Sequence, residues 1–256
     1  MDLGVRTPLL DSFRRGDVPR EARLLAAQGG VAPRAHEQLA VLILLSADTD
    51  AEISQAAEGT LASIPREALA GFLARSDVGP DVREFFAARG VEPAEVPGGD
   101  PDLPLVDVSA PAAEGGTAEE SEQSTLQRLA ALNVAQRIGV AMKGTREERA
   151  ILIRDPNRIV ASAVLSSPKV TETEIEIFAR MGSVSEDTLR IIGSSRAWTK
   201  RYGVIAALVK NPKTPLAMSM NLLNRLVDKD IKALSTDRNV PDALRVAARR
   251  RLTKDA

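Results

Sequence analysis

The chain contains no cysteine, which removes disulfides, thiolate metal sites and cysteine nucleophiles together. Its one histidine, His36, has no second histidine or cysteine to complete a zinc site and no serine set in a nucleophile elbow. We therefore expect no metal and no cofactor. Tryptophan and tyrosine occur once each, and aromatics make up only 3% of the chain. A core this poor in rings must be built from Leu, Ile, Val and Ala, which suits thin helical layers better than stacked sheets. Long apolar runs are missing too. Leu39-Ala-Val-Leu-Ile-Leu-Leu45 falls far short of the roughly 20 residues a membrane span requires. Met1-Asp-Leu-Gly-Val-Arg6 lacks the basic-then-apolar order of a secretory leader, so the expected location is cytoplasmic.

Charge is absent by region. Residues 1–92 hold 10 Arg and no Lys against 14 acids, a net −4. Residues 93–125 hold no base and eight acids, and residues 126–256 hold 24 bases against 13 acids, a net +11. The overall charge of −1 conceals this split, which bears on partners rather than on fold.

What the chain does have is repetition. Leu152-Ile-Arg-Asp-Pro-Asn, Ile192-Gly-Ser-Ser-Arg-Ala and Leu234-Ser-Thr-Asp-Arg-Asn each set a large aliphatic residue before a polar turn, at steps of 40 and 42 residues. Ser167-Pro-Lys and Asn211-Pro-Lys repeat at a step of 44. Near the front, Leu73–Ala87 aligns without a gap on Leu165–Ala179, pairing Leu73 with Leu165, Val78 with Val170, Phe86 with Phe178 and Ala87 with Ala179. Periods of this size with two helices per unit are those of stacked helical arrays.

Helix signals fill both ends of the chain. Pro33 is placed to open a long apolar helix through Leu45, with helices over 51–61 and 67–74 after it. Asp81 and Glu84 are spaced as an N-cap and its N3 partner. From Leu126, apolar residues recur at steps of three and four through Met142, and helices are expected over 157–165, 186–192, 197–209, 215–226, 228–234 and 241–252. Three capping boxes are spelled out: Thr145 with Glu148, Thr171 with Glu174, and Ser183 with Glu186. No stretch alternates with a period of two, so the fold is read as all-α. Three regions follow: an N-terminal helical unit at 1–92, a Pro/Gly-rich acidic disordered linker at 93–125, and a basic helical repeat domain at 126–256. The linker is too poor in apolar residues to offset the entropy of ordering, although Leu103, Leu105, Val106 and Val108 form an island able to dock on a neighbour.

Catalytic signals are weak. Gly139-Val-Ala-Met-Lys-Gly-Thr145 resembles a phosphate loop only in composition, because its lysine precedes the glycine and the segment ends a helix. Glu172, Glu174 and Glu176 lie where acids complement a helix N-terminus. His36 reads as structural or neutral, facing out of its helix or lying at its edge. The most distinctive cluster is Arg196, Trp198, Lys200, Arg201 and Tyr202, which joins the only Trp and Tyr to three cations. Such residues anchor protein interfaces, and they also stack bases and neutralise phosphates. Arg245, Arg249, Arg250 and Arg251 add charge near a helix C-terminus, where the dipole favours it.

The anchors at 152, 192 and 234 resemble those of HEAT-like and leucine-rich-repeat-variant α-solenoids of bacteria, over residues 145–256 and more loosely over 5–90. The resemblance implies a curved stack of helices whose concave face and turn tips bind macromolecules, and it transfers no catalytic residue. One branch of similar architecture comprises DNA glycosylases with a basic concave face; the basic half here brings only Phe178, Trp198 and Tyr202 as aromatics. The expectation is a scaffold rather than an enzyme, with a protein partner of acidic character. Nucleic-acid binding by the basic half is the alternative.

Overall fold

The missing two-residue alternation has its counterpart in space: every regular element of the described residues is helical, with 16 α-helices, one 3-10 turn and no strand. The computed structural model describes residues 6–32, 34–98, 103–106 and 122–254. The remaining residues of the expected linker, 99–102 and 107–121, lie outside this set, as does Pro33. Packing divides the chain into two units. The first spans Met1–Leu152 with Ser162–Lys169, and the second spans Ile153–Ala161 with Val170–Ala256.

The first unit is organised by one helix. α1 (Pro8–Arg15), α2 (Arg20–Ala27), α3 (Ala35–Ser46), α4 (Ala51–Ser63), α5 (Arg66–Leu73) and α6 (Pro80–Ala87) follow in order. α3 packs against α1, α2 and α4. Its aliphatic residues lie on every side, and a helix that is apolar all round must be buried. Ala35, Leu39, Ala40, Val41, Leu42, Ile43 and Leu45 all are. Burial of this kind stabilises by roughly 25 cal/mol per Å² of apolar surface removed from water. Two more features trim the unit. Thr7 caps α1 by accepting from Leu10 N at 3.2 Å, and Gly16 ends it at φ +73°, a left-handed turn that side chains resist. At α6 the expected cap is displaced: Gly79 is the N-cap, Pro80 takes the first helical position with its preset φ, and Asp81 lies inside the first turn.

α7 (Glu122–Ala131), α8 (Val134–Lys143) and α9 (Arg146–Leu152) also belong to the first unit. α8 packs on α2, burying Ile138, Ala141 and Met142. The packing division therefore falls near residue 152, whereas the charge division falls at 126. α8 ends at Lys143 with the Gly144 N–H donating to Val140 O at 2.7 Å, the helix terminus expected there. The expected linker also holds to the fold where it is described. Ala94 N donates to Ala70 O and Gly98 N to Gly71 O, both at 2.9 Å.

α10 (Arg158–Ser166) contributes its first part to the second unit and its end to the first. The second unit continues through α11 (Glu172–Arg180), α12 (Glu186–Ser194), a 3-10 turn (Trp198–Lys200), α13 (Tyr202–Lys210), α14 (Leu216–Leu223), α15 (Asp228–Leu234) and α16 (Asp242–Lys254). The helix expected over 197–209 is thus broken at Arg201, whose extended backbone (ψ 126°) separates the 3-10 turn from α13. The boxes at Thr145 and Thr171 form as read: each hydroxyl accepts from the backbone N–H three residues on, at 3.3 Å, while the glutamate accepts from the cap's own N–H. The third moves. Ser185, not Ser183, caps α12 by accepting from Thr188 N at 3.2 Å, because Val184 is fully buried and the helix begins only after it. A fourth box, Asn133 with Gln136, opens α8.

The repeated words correspond to repeated contacts. Leu152, Ile192 and Leu234 are all buried at or near the ends of α9, α12 and α15. Ser167, just past α10, donates to Met142 O near the end of α8 at 2.8 Å. Asn211, just past α13, donates to Ala179 O and Met181 O at the end of α11, at 2.8 and 3.1 Å. Both side chains then accept from the lysine N–H two residues on, Lys169 at 3.3 Å and Lys213 at 3.0 Å, across the intervening proline. In α16, Arg251 donates to Leu223 O at the end of α14 at 2.9 Å. Each step of about 40 residues holds three short helices where two were expected. The front copy is partial: Phe86 and Phe178 are both buried at the seventh position of their helices, but Ala87 is exposed where Ala179 is buried.

Candidate docking sites

The 195–202 cluster is built on a tight turn. Ser195 closes α12, and its carbonyl accepts from Thr199 N at 3.0 Å and Thr199 Oγ1 at 2.7 Å, while Arg201 N donates to Trp198 O at 3.1 Å. Arg225 clamps the turn from outside by donating to Thr199 O at 2.5 Å. Trp198 is half-buried and the other four candidates are exposed. The two at the start of α13 turn to different carboxylates. Arg201 pairs with Glu172 of α11 at 2.5 Å, and the Tyr202 hydroxyl donates to Asp230 of α15 while accepting from Val227 N at 3.3 Å. Lys210 holds the other oxygen of Asp230 at 2.6 Å. The hydrogen bond from Lys210, with that from Tyr202, holds the Asp230 carboxyl below its ordinary range; desolvation, helped by the bond to Asp230, pushes the phenol of Tyr202 above its own. Arg196 and Lys200 make no ion pair among the described residues.

The C-terminal arginines are largely engaged within the fold. Arg245 pairs with Asp242 at 2.8 Å, Arg249 donates to Ser235 O at 3.1 Å, and Arg251 to Leu223 O. These carbonyls belong to helix ends, whose last C=O groups have no partner within the helix and a negative dipole pole. Arg249 and Arg250 are both exposed, and of the four only the Arg250 side chain makes neither an ion pair nor a hydrogen bond among the described residues. Exposed apolar side chains stand among this charge: Tyr202, Val227, and Leu216 with Met220 one turn apart on α14.

Acid–base chemistry finds no assembled site on the carboxylates named from sequence. Glu172 pairs with Arg201, buried Glu174 is occupied in its capping box, and Glu176 pairs with Arg180. No group of three or more His, Asp or Glu able to hold a metal occurs among the described residues. His36 is not solvent-facing: it packs edge-on to Phe72 with ring centroids 4.6 Å apart, and burial lowers its pKa. The all-round burial of α3 draws it in.

That same burial creates a site the sequence reading missed. Glu37 and Gln38 are 2% and 1% exposed. The Thr7 hydroxyl donates to Glu37, whose carboxyl is pushed above its ordinary range by desolvation. The Gln38 carboxamide binds a bent, non-helical stretch of chain. Its Oε1 accepts from Leu105 N at 2.8 Å and Val106 N at 3.0 Å; its Nε2 donates to Val106 O at 2.8 Å and to Gly29 O at 3.2 Å. Ala35 N, at the start of α3, donates to Leu103 O at 3.1 Å. The described part of the apolar island, Leu103, Leu105 and Val106, is therefore docked; Val108 lies outside the described residues. The available signal was a Glu-Gln pair inside a helix with no polar face, where polar side chains must be buried and must find partners.

Comparison with protein-family models, curated proteins and solved structures gives no match for this chain. Function must be argued from these contacts. No helix of the described residues is long and apolar enough to cross a membrane.

Proposed function

We propose that the chain is a non-enzymatic protein-interaction scaffold built on helical repeats of the α-solenoid kind, and that its second unit takes a protein partner around Arg196, Trp198, Lys200, Arg201 and Tyr202. One observation carries this reading. Much of the unit's positive charge is neutralised or donated within the fold, while Tyr202 and Val227 stand exposed side by side next to it. Interfaces favour such a mix: aromatic and apolar anchors supply the affinity, and rim charges supply orientation and encounter rate. The recurring contacts at Ser167 and Asn211 support the repeat reading. The cations left exposed, Arg196 and Lys200, favour an acidic rim on the partner.

Nucleic-acid binding is the second reading, favoured by Arg196, Lys200, Lys213 and Arg250, all exposed and without an ion pair among the described residues. The two readings separate by experiment. The double reversal Arg196→Glu/Lys200→Glu leaves the Arg201–Glu172 and Tyr202–Asp230 contacts in place. It is expected to abolish capture of an acidic protein partner by the intact chain; unchanged capture removes this site. Fluorescence anisotropy with a duplex and a single-stranded oligonucleotide tests the rival. Binding whose affinity falls steeply with salt would replace the scaffold reading, because phosphate contacts release counterions.

A further inference from the structure

The clasp on α3 has a ligand chemistry of its own. A carboxamide offers two acceptor positions and two donors, and Gln38 uses all four. Three of the four go to two consecutive residues: Val106 offers its N–H and C=O as to a neighbouring peptide group, and the bend at 105–106 turns the Leu105 N–H to the same oxygen. Proline fits at 104, where no donor is required, and the Leu103 carbonyl before it accepts from Ala35 N. The site thus reads main-chain groups, with proline accommodated at 104. The hold is also slight: the segment has no helix, its Leu103 side chain is 60% exposed, and Pro104, Leu105 and Val106 are only half-buried.

We propose that the Ala35–Gln38 edge of α3 is a peptide-docking site, and that Leu103-Pro-Leu-Val106 is its resident intramolecular ligand, seated as a releasable latch. Without that segment, buried Gln38 retains only Gly29 O as a partner. Buried polar groups left unsatisfied are costly, so the emptied site favours another bent backbone presenting two successive N–H groups and a carbonyl. This inference does not depend on the second unit or its partner.

The probe is a fluorescein-labelled peptide of residues 100–109, titrated by anisotropy against the full chain, the chain lacking residues 103–106, and that deletion carrying Gln38→Leu. An occupied site lowers apparent affinity by the fraction of time it is free, so the deletion is expected to bind about tenfold or more tightly than the intact chain. Gln38→Leu should remove that binding. Equal affinity for intact and deleted chains, no binding to a deleted chain that keeps its helical circular dichroism, or binding that survives Gln38→Leu would each overturn the proposal. Amide exchange on the intact chain covers the case in which the deletion unfolds. The Leu105 and Val106 amides should be protected at every protein concentration, and should lose protection in Gln38→Leu while α3 keeps its own. Exchange at free-peptide rates overturns the docked latch, and protection that appears only as concentration rises assigns the segment to a second copy and overturns the intramolecular one.

Discussion

Each unit buries one carboxamide among its described residues and uses it differently. Gln38, in the first, holds a bent stretch of chain 67 and 68 residues away. Asn211, in the second, braces the end of α11 through Ala179 O and Met181 O and fixes its own turn through Lys213 N. One side chain secures a docked segment that belongs to no helix; the other ties helix to helix. The same chemistry therefore contributes to local docking in one place and to global stability in the other. The contrast predicts unequal losses. Asn211→Leu strands two helix-end carbonyls and a turn N–H, and is expected to lower unfolding free energy by about 2–4 kcal/mol. Gln38→Leu should cost only about 1 kcal/mol, since the docked segment can open on its own. Chemical denaturation measures both, and equal losses would break the distinction.

Charge draws a second line, this time within the second unit. Composition counts its arginines alike, but Arg251 donates to the end of α14 whereas Arg250 is exposed. Arg251→Gln is expected to cost about 1–2 kcal/mol, through a lost charged hydrogen bond to a helix-end carbonyl. Arg250→Gln should stay within about 0.5 kcal/mol of the parent. A thermal-melt comparison that ranks them the other way would return these arginines to the pool of free surface charge, and with them the case for a polyanion partner.

What could be read from the sequence was local. Thr145 with Glu148 and Thr171 with Glu174 lie three residues apart, so spacing alone fixes the geometry. The aliphatic anchors needed only to be buried at helix ends. Failures came where a distant contact decides. Nothing near Gln38 points to Leu105, and the enclosure of α3 around His36 was signalled only by the helix's lack of a polar face. Ser183 lost its role to Ser185 because buried Val184 sets where α12 starts. Ser185→Ala should therefore cost about 0.5–2 kcal/mol, and Ser183→Ala close to nothing. A larger loss at Ser183 in denaturant titrations would mean that spacing had been the better guide.

Ionisable groups set the two units in opposite directions, with the smallest expected effects. Glu37 in the first unit has its pKa raised by burial, so its contribution is fully present below the ordinary value of 4.5 and is lost as pH rises through the folded value. Asp230 in the second is lowered, so its contribution is present above 3.8 and is lost as pH falls through the folded value. Glu37→Gln should flatten the decline on the alkaline side of that window, and Asp230→Asn the decline in acid. Tyr202 supplies a direct optical reading, because it is the only tyrosine in the chain. Its phenol should ionise above the ordinary 10.0, desolvation being the first cause and the bond to Asp230 the second. Asp230→Asn should move the tyrosinate absorbance curve part of the way back, since burial remains after the carboxylate is gone. A curve centred at the ordinary value in the parent would mean that Tyr202 is free of Asp230, and a complete return in the variant would mean that the carboxylate, not burial, sets the shift.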